Sequence, residues 1–245
     1  MSRSARTIEI GSLLFEGLDQ IDLTGPFEVL SRLPGARHRL YGSTAGAVRD
    51  VMGLHLIPDA TLAEAPRLDV LHVPGGAGQE ALMDDEAVLG WLRTQAAGAS
   101  KVLSVCTGAL LLGAAGLLRG RRATTHWASL HLLPLFGATA LDERVVVDGK
   151  WIFAAGVTAG IDGALTLVAE LCGVEAAQRI QLDIAYAPEP PFDSGTPATA
   201  PPAVLARARA DGAALRTRRE ATAKRLAARF HIATRLTQDP ADHLH

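Results

Sequence analysis

Cysteine is scarce in this chain, with two residues, Cys106 and Cys172, among 245. Two cysteines so far apart cannot build a disulfide framework for a chain of this length, which excludes a secreted disulfide scaffold. Aromatic residues make up only 4%, so the core must rest on Ala, Leu, Val and Gly and on close helix–sheet contacts. An excess of one charge is also missing. Lys+Arg is 24 against Asp+Glu 26, a net charge of −2, and no global basic surplus points to nucleic acid or an anionic membrane. The longest apolar run, residues 109–118, is broken by Gly113 and Gly116 and falls short of the roughly 18 residues that span a bilayer. The opening MSRSARTIEI contains no apolar stretch before a small-residue cleavage site, so a reducing cytoplasm is the expected compartment. There is no phosphate loop or dinucleotide fingerprint, and no His/Cys/Asp cluster at ligand spacing, so neither metal nor cofactor is expected.

With 48% hydrophobic and 20% charged residues, the sequence belongs to a globular domain. Residues 7–15, 68–73 and 101–105 are short apolar runs that predict buried strands. Residues 39–42 and 48–51 predict shorter ones. Helices are expected over 27–33, with Asp22 or Thr24 as N-cap, over 86–98, capped by Asp84 or Asp85, over 107–118, 160–171 and 175–185. Residues 144–154 predict a hairpin with Asp148-Gly149 as a type I′ turn. Apolar strands alternating with helices argue for a mostly parallel sheet covered on both faces. The proline-rich stretch 187–202 predicts an irregular surface strap. Residues 203–235 predict an Ala/Arg-rich helix carrying nine of the 24 basic residues. A solvated helix packed back on the domain accounts for it better than a nucleic-acid reader, because no second helix follows at helix-turn-helix spacing. One domain over residues 1–230 is expected, with a frayed tail at 231–245.

Cys106 is the leading candidate for chemistry. It sits between a buried strand and a helix, at the carboxyl edge of the sheet where ligands bind in open α/β folds. The helix N-terminus after it favours a thiolate over a thiol. Gly108 and Ala109 relieve the crowding of a nucleophile elbow. A buried apolar cysteine is the plainer alternative. Cys172, late on an amphipathic helix, is expected to be structural. Gly75 and Gly76 end another strand, where a backbone N–H can approach a ligand closely. If the strands are neighbours, the Gly76 and Thr107 N–H groups could converge on a negative charge beside Cys106. Asp22 follows the first strand at the same sheet edge, either as a proton carrier or as a helix cap. His126 is a candidate of lower rank, structural or part of a subunit contact, and Glu16 and Asp19 are expected to be solvated loop residues.

The Val-Pro-Gly-Gly stretch after a strand, the Ser-Val-Cys-Thr-Gly-Ala elbow at 104–109 and Ala-Thr-Thr-His-Trp at 123–127 resemble the ThiJ/PfpI superfamily. Within it, Gln-Ile-Asp-Leu-Thr-Gly-Pro at 20–26, Thr-Ala-Gly-Ile-Asp at 158–162 and the tail motifs between Tyr186 and Pro197 are most similar to the isocyanide hydratases. The resemblance spans roughly residues 8–230. It implies a flavodoxin-like three-layer α/β sandwich, related to the class I glutamine amidotransferases, and a homodimer. It implies Cys106 attacking the carbon of an isocyanide, Asp22 moving the proton, Thr107 positioning Asp22 or water through its hydroxyl, no cofactor, and an N-substituted formamide as product. Ala155 and Val157 stand where a more glycine-rich run is expected, and their methyl groups would narrow a substrate pocket. Thr107 in place of a histidine after the cysteine argues against peptide hydrolysis. Cofactor-free glyoxalase or deglycase chemistry on 2-oxoaldehydes, a ligand-sensing domain of the AraC-regulator kind, and reversible redox sensing at Cys106 are the alternatives.

Overall fold

The computed structural model describes residues 7–230, and the expected frayed tail at 231–245 lies outside them. The chain runs β1 (Ile8–Leu14), α1 (Gln20–Leu30), β2 (Ala36–Gly42), β3 (Val48–Arg49), β4 (His55–Leu56), β5 (Ala60–Thr61), β6 (Val70–Val73), α2 (Gln79–Leu82), α3 (Glu86–Gly98), β7 (Lys101–Val105) and α4 (Gly108–Ala114). It continues through β8 (Arg122–Ala123), a 3-10 segment (Trp127–Phe136), β9 (Thr139–Ala140), β10 (Val145–Asp148), β11 (Trp151–Ala154), α5 (Ala159–Cys172), α6 (Val174–Asp183), α7 (Pro202–Asp211) and α8 (Ala213–Arg229). Seven strands form the main sheet in the order β10-β11-β7-β6-β1-β2-β5. Its pairings are parallel except for the β10–β11 hairpin.

The short apolar runs become central strands because both faces of the sheet are covered. Val70, Leu71 and Val73 on β6 are fully buried. One core cluster joins the sheet to α1, α5 and α6 through residues such as Val29, Leu30, Leu167, Val168 and Ile180. The other joins it to α3, α4, the 3-10 segment and α8 through Leu92, Leu110, Leu111, Leu133, Phe136 and Leu226. This is the flavodoxin-like three-layer arrangement. β1 lies between β2 and β6. The chain leaves β1 on the α1 face and leaves β6 on the opposite face, so a crevice opens between the two loops at the carboxyl edge of the sheet. Asp22, Gly75 and Cys106 follow β1, β6 and β7 at this edge.

Several local expectations change. The first helix starts at Gln20, with Asp19 as its N-cap, accepting from the Ile21 N–H. Asp22 is therefore inside the first turn and is not the cap, and Asp19 is not merely solvated loop. Glu16 accepts the Arg49 N–H (2.8 Å). Asp85 rather than Asp84 caps α3. In the late hairpin Asp148 pairs with Trp151, leaving Gly149-Lys150 as the loop. Only Gly149 has positive φ there (64°), which marks a II′ turn rather than I′. The helix after Cys106 stops at Ala114, where Gly116 turns left-handed (φ 78°). The expected long basic helix is two helices, α7 and α8, meeting at Gly212.

Part of the charge of α8 is paired. Arg225 pairs with Asp84 and Lys224 with Glu220, while Ala223, Leu226 and Ala227 are buried. Among the described residues, no helix is long and apolar enough to cross a membrane.

The approach of α4 to β6 is close enough to require glycine. A Cβ at Gly108 would lie 2.1 Å from the Val73 carbonyl oxygen. Gly108→Ala is expected to destabilise the fold by about 3 kcal/mol or more, read as a lower urea midpoint. A wild-type midpoint would contradict this packing.

Candidate functional site

Cys106 has φ 56°, in the left-handed region that a side chain enters at a cost. The surroundings hold it there. Its N–H donates to the Ala154 carbonyl (2.9 Å) and its carbonyl accepts the Thr125 hydroxyl (2.6 Å). This conformation turns the side chain out of the β7 line toward the β1 and β6 loops, as expected of a nucleophile elbow.

Three segments meet at Gly75. Its N–H donates to Asp22 Oδ2 (3.0 Å). A Cβ on Gly75 would stand 2.5 Å from the Thr107 nitrogen, 2.7 Å from Thr107 Oγ1 and 2.9 Å from Asp22 Oδ2. The absence of a side chain there lets Asp22 and the elbow approach each other. Asp22 Oδ1 is buried with no hydrogen-bond partner, and the Cys106 thiol lies close enough to influence this carboxyl.

The glycine N–H groups are not the free oxyanion donors expected from the sequence. Gly75 N–H is committed to Asp22. Gly76 N–H is committed to Thr107 Oγ1 (3.1 Å). Thr107 Oγ1 in turn faces the Gly76 carbonyl (3.3 Å) and Arg219, so its hydroxyl fastens the β6 loop to the elbow instead of touching Asp22. The Thr107 backbone N–H acts on the Cys106 sulfur.

Burial dominates the electrostatics. Cys106 is 6% exposed and Asp22 fully buried. Burial, then the neighbouring Asp19, pushes the Asp22 carboxyl up to about 7. Burial and then Asp22 push the Cys106 thiol well above its ordinary range, against the lowering effect of the Thr107 N–H and of Arg219. The helix N-terminus therefore does not win, and the sulfur rests as a thiol beside a carboxyl that can hold or give up a proton near neutrality.

Two contributors were not legible in the sequence. Arg219, taken for part of a solvated helix, is buried against the Gly76–Thr107 loop. His72 on β6 is buried with Nδ1 2.7 Å from Ser12 Oγ, which is itself 2.7 Å from His38 Nε2. His72 Nε2 is buried with no hydrogen-bond partner, and Pro26, four residues after Asp22 in α1, leaves the Asp22 carbonyl without its helical N–H.

A cavity of about 350 Å³ adjoins the elbow, lined by Thr125, His126, Trp127, Ala155, Val157 and Pro197 among others. Ala155 and Val157 both line it, together with residues 195–197 of the strap. His126 caps the 3-10 segment, Nδ1 accepting from the Ala128 N–H (3.3 Å). Burial, followed by Arg219, lowers it to about 4, so it faces the cavity uncharged. Among the described residues no group of three or more His, Cys, Asp or Glu side chains is placed to hold a metal.

These shifts set the acid response. Burial lowers His38 and His72 to about 3 and His126 to about 4. Their folded values lie below the unfolded one of about 6.5, so all three take up protons on unfolding between pH 6.5 and about 4. Asp22 has the opposite sign and releases one proton over pH 7 to about 4. Three imidazoles against one carboxyl leave about two protons taken up near pH 5.5, and stability should fall by about 2–3 kcal/mol per unit decrease in pH there. Urea titrations at pH 5, 5.5 and 6 check this. A flat dependence would mean that the imidazoles are not neutral in the fold.

A profile of the DJ-1/PfpI family matches residues 9–170. The chain is 52% identical over 226 residues to the isonitrile hydratase of Pseudomonas putida, covering 92% of this chain and 99% of that one. It is 30% identical to a helix-turn-helix transcriptional regulator of Pseudomonas aeruginosa over 70% of this chain and 48% of the regulator. A crystal structure of a ThiJ/PfpI family protein from Pseudomonas syringae superposes with a TM-score of 0.86 at 38% identity, over 89% of this chain and 90% of that one.

Proposed function

Because the chain belongs to the DJ-1/PfpI family, we propose that it is an isocyanide hydratase in which Cys106 is the nucleophile and Asp22 the proton carrier. The observation that carries this reading is the buried carboxyl held by Gly75 beside a cysteine in a strained backbone conformation. The near full-length likeness to a hydratase supports the choice of substrate.

The resting pair is a thiol and a carboxyl group near its midpoint at neutral pH. Ionised Asp22 takes the thiol proton as the sulfur attacks the terminal carbon of R–N≡C, and the S–C bond forms. The electron pair left on that carbon takes the proton back from Asp22, giving a thioimidate, R–N=CH–S–Cys106. Asp22, again ionised, takes a proton from water as the oxygen adds to the same carbon and passes it to the nitrogen, giving R–NH–CH(OH)–S–Cys106. Collapse breaks the C–S bond and releases R–NH–CHO, the hydroxyl proton passing through Asp22 to the departing sulfur. One water is consumed in all. Covalent capture divides a difficult hydration into two easier additions. The Thr107 N–H supports the developing thiolate, and the Ala155 and Val157 methyl groups narrow the room for R.

Cys106→Ala is expected to abolish formamide production. Asp22→Asn is expected to lower turnover by about 10²–10⁴ with the fold intact. Intact-mass measurement during turnover should show a transient adduct equal to the isocyanide mass, absent in Cys106→Ala. Formamide production by Cys106→Ala would end the reading. Faster turnover of methylglyoxal than of a simple alkyl isocyanide would turn it into the glyoxalase alternative.

We also place the enzyme in a reducing cytoplasm, which keeps Cys106 a thiol, and assign it a homodimer. Val51, Met52 (89% exposed) and Leu54 crowd the tip of the β3–β4 hairpin, and Ile57 (70%) follows β4. That tip is tied to the elbow side of the sheet by Val51 N–H donating to the Leu18 carbonyl (2.9 Å). A two-fold axis would bury this patch against its own copy. Met52→Asp is expected to shift the mass in light scattering from two chains toward one. A wild-type monomer would refute the assignment.

A further inference from the structure

Arg219 is one basic residue among many on α8, yet it is 6% exposed. Its Nη2 donates to the Gly76 carbonyl (2.5 Å) and reaches Thr107 Oγ1 (3.5 Å), and its Nε donates to Gln79 Oε1 (3.1 Å). All three acceptors are neutral. They belong to the β6 loop, the elbow and α2. Among the described residues, no carboxylate hydrogen-bonds to this guanidinium. By contrast, Lys224 and Arg225 on the same helix have carboxylate partners at the surface.

A buried cation with only neutral partners is costly unless a negative charge lies close by. The charged and titratable groups around Arg219 are few. Glu80 on α2 and the Cys106–Asp22 pair are the acidic groups that act on it, Arg218 on its own helix opposes it, and His126 feels its charge. Glu80 already accepts the Thr222 hydroxyl (2.8 Å). Cys106 and Asp22 together carry one negative charge when they share one proton, whichever of them holds it.

We propose that Arg219 is a positioning residue whose fixed charge is the counter-ion of the Cys106–Asp22 pair and whose guanidinium fixes the Gly76–Thr107 clasp across the elbow. The proposal rests on Cys106 being the nucleophile. It makes α8, which lies beyond the family match at residues 9–170, part of the working site. Without this cation the pair would take a second proton at higher pH, leaving a neutral acid and a neutral thiol with no base between them.

The test is the pH dependence of Cys106 alkylation by iodoacetamide, made in a Cys172→Ser background because Cys172 is exposed and free. Alkylation needs no isocyanide, so its result is independent of the formamide assay. Arg219→Gln should move the profile about one pH unit upward, a roughly tenfold slower reaction at pH 7.5, while circular dichroism stays native. Arg219→Lys keeps the charge but loses the two-armed hold. Its profile should stay within about 0.3 pH unit of wild type, while kcat for isocyanide falls about fivefold at unchanged KM. A folded Arg219→Gln protein with a wild-type profile overturns the proposal. Should Arg219→Gln not fold, Arg219→Lys decides. An unmoved profile with reduced kcat supports the counter-ion role, and a profile displaced by a full unit overturns it.

Discussion

The site depends on one missing side chain. At Gly75 the backbone passes so close to Asp22 and Thr107 that a Cβ would overlap both, and the N–H left facing inward holds the carboxyl. The loops after β1, β6 and β7 close on one another there. From that closure follow the burial of Asp22, its raised proton affinity and its position beside Cys106. The clasp between Gly76 and Thr107 then holds the β6 loop to the elbow from the other side.

Burial does two opposing jobs in this region. It withholds charge from His38, His72 and His126 and keeps them as neutral hydrogen-bonding groups. It also raises the proton affinity of Cys106 and Asp22 together. A thiol that is hard to ionise needs a base at hand, and a carboxyl brought up to neutrality can be one. The pair is thus matched by a shared environment, whereas a helix terminus would have acted on the sulfur alone.

The parallel sheet and the elbow were legible because they are written in local pattern. Apolar runs of about five residues ended by Pro-Gly-Gly or by Cys-Thr-Gly leave little choice but buried strands with tight exits. Asp22 was legible by its place after the first strand, although the cap is Asp19 and neither Asp22 nor Thr24. Asp19 and Asp22 both precede apolar residues, and only the backbone angles at Asp19 separate them. The 3-10 segment Trp127–Phe136 was missed because its run of leucines, with Pro134 inside, carries no helical signature of its own. Arg219 was beyond reach for a different reason. In a helix of alternating alanines and arginines every face looks alike, and which arginine turns inward is decided by the Gly76 and Gln79 acceptors of a segment some 140 residues earlier.

The cavity beside the elbow is lined by residues 125–127, 142–144, 155–158 and 195–197, and two of these segments differ in what they carry. Ala155 and Val157 follow directly from β11, so altering them disturbs the strand that holds Cys106 in place. Gly195, Thr196 and Pro197 belong to the irregular strap and carry no part of the sheet or of either core cluster. Under the proposed mechanism, with the substituent R in this cavity, selectivity among isocyanides can drift through the strap by substitution, insertion or deletion, and a new specificity is most cheaply sought there.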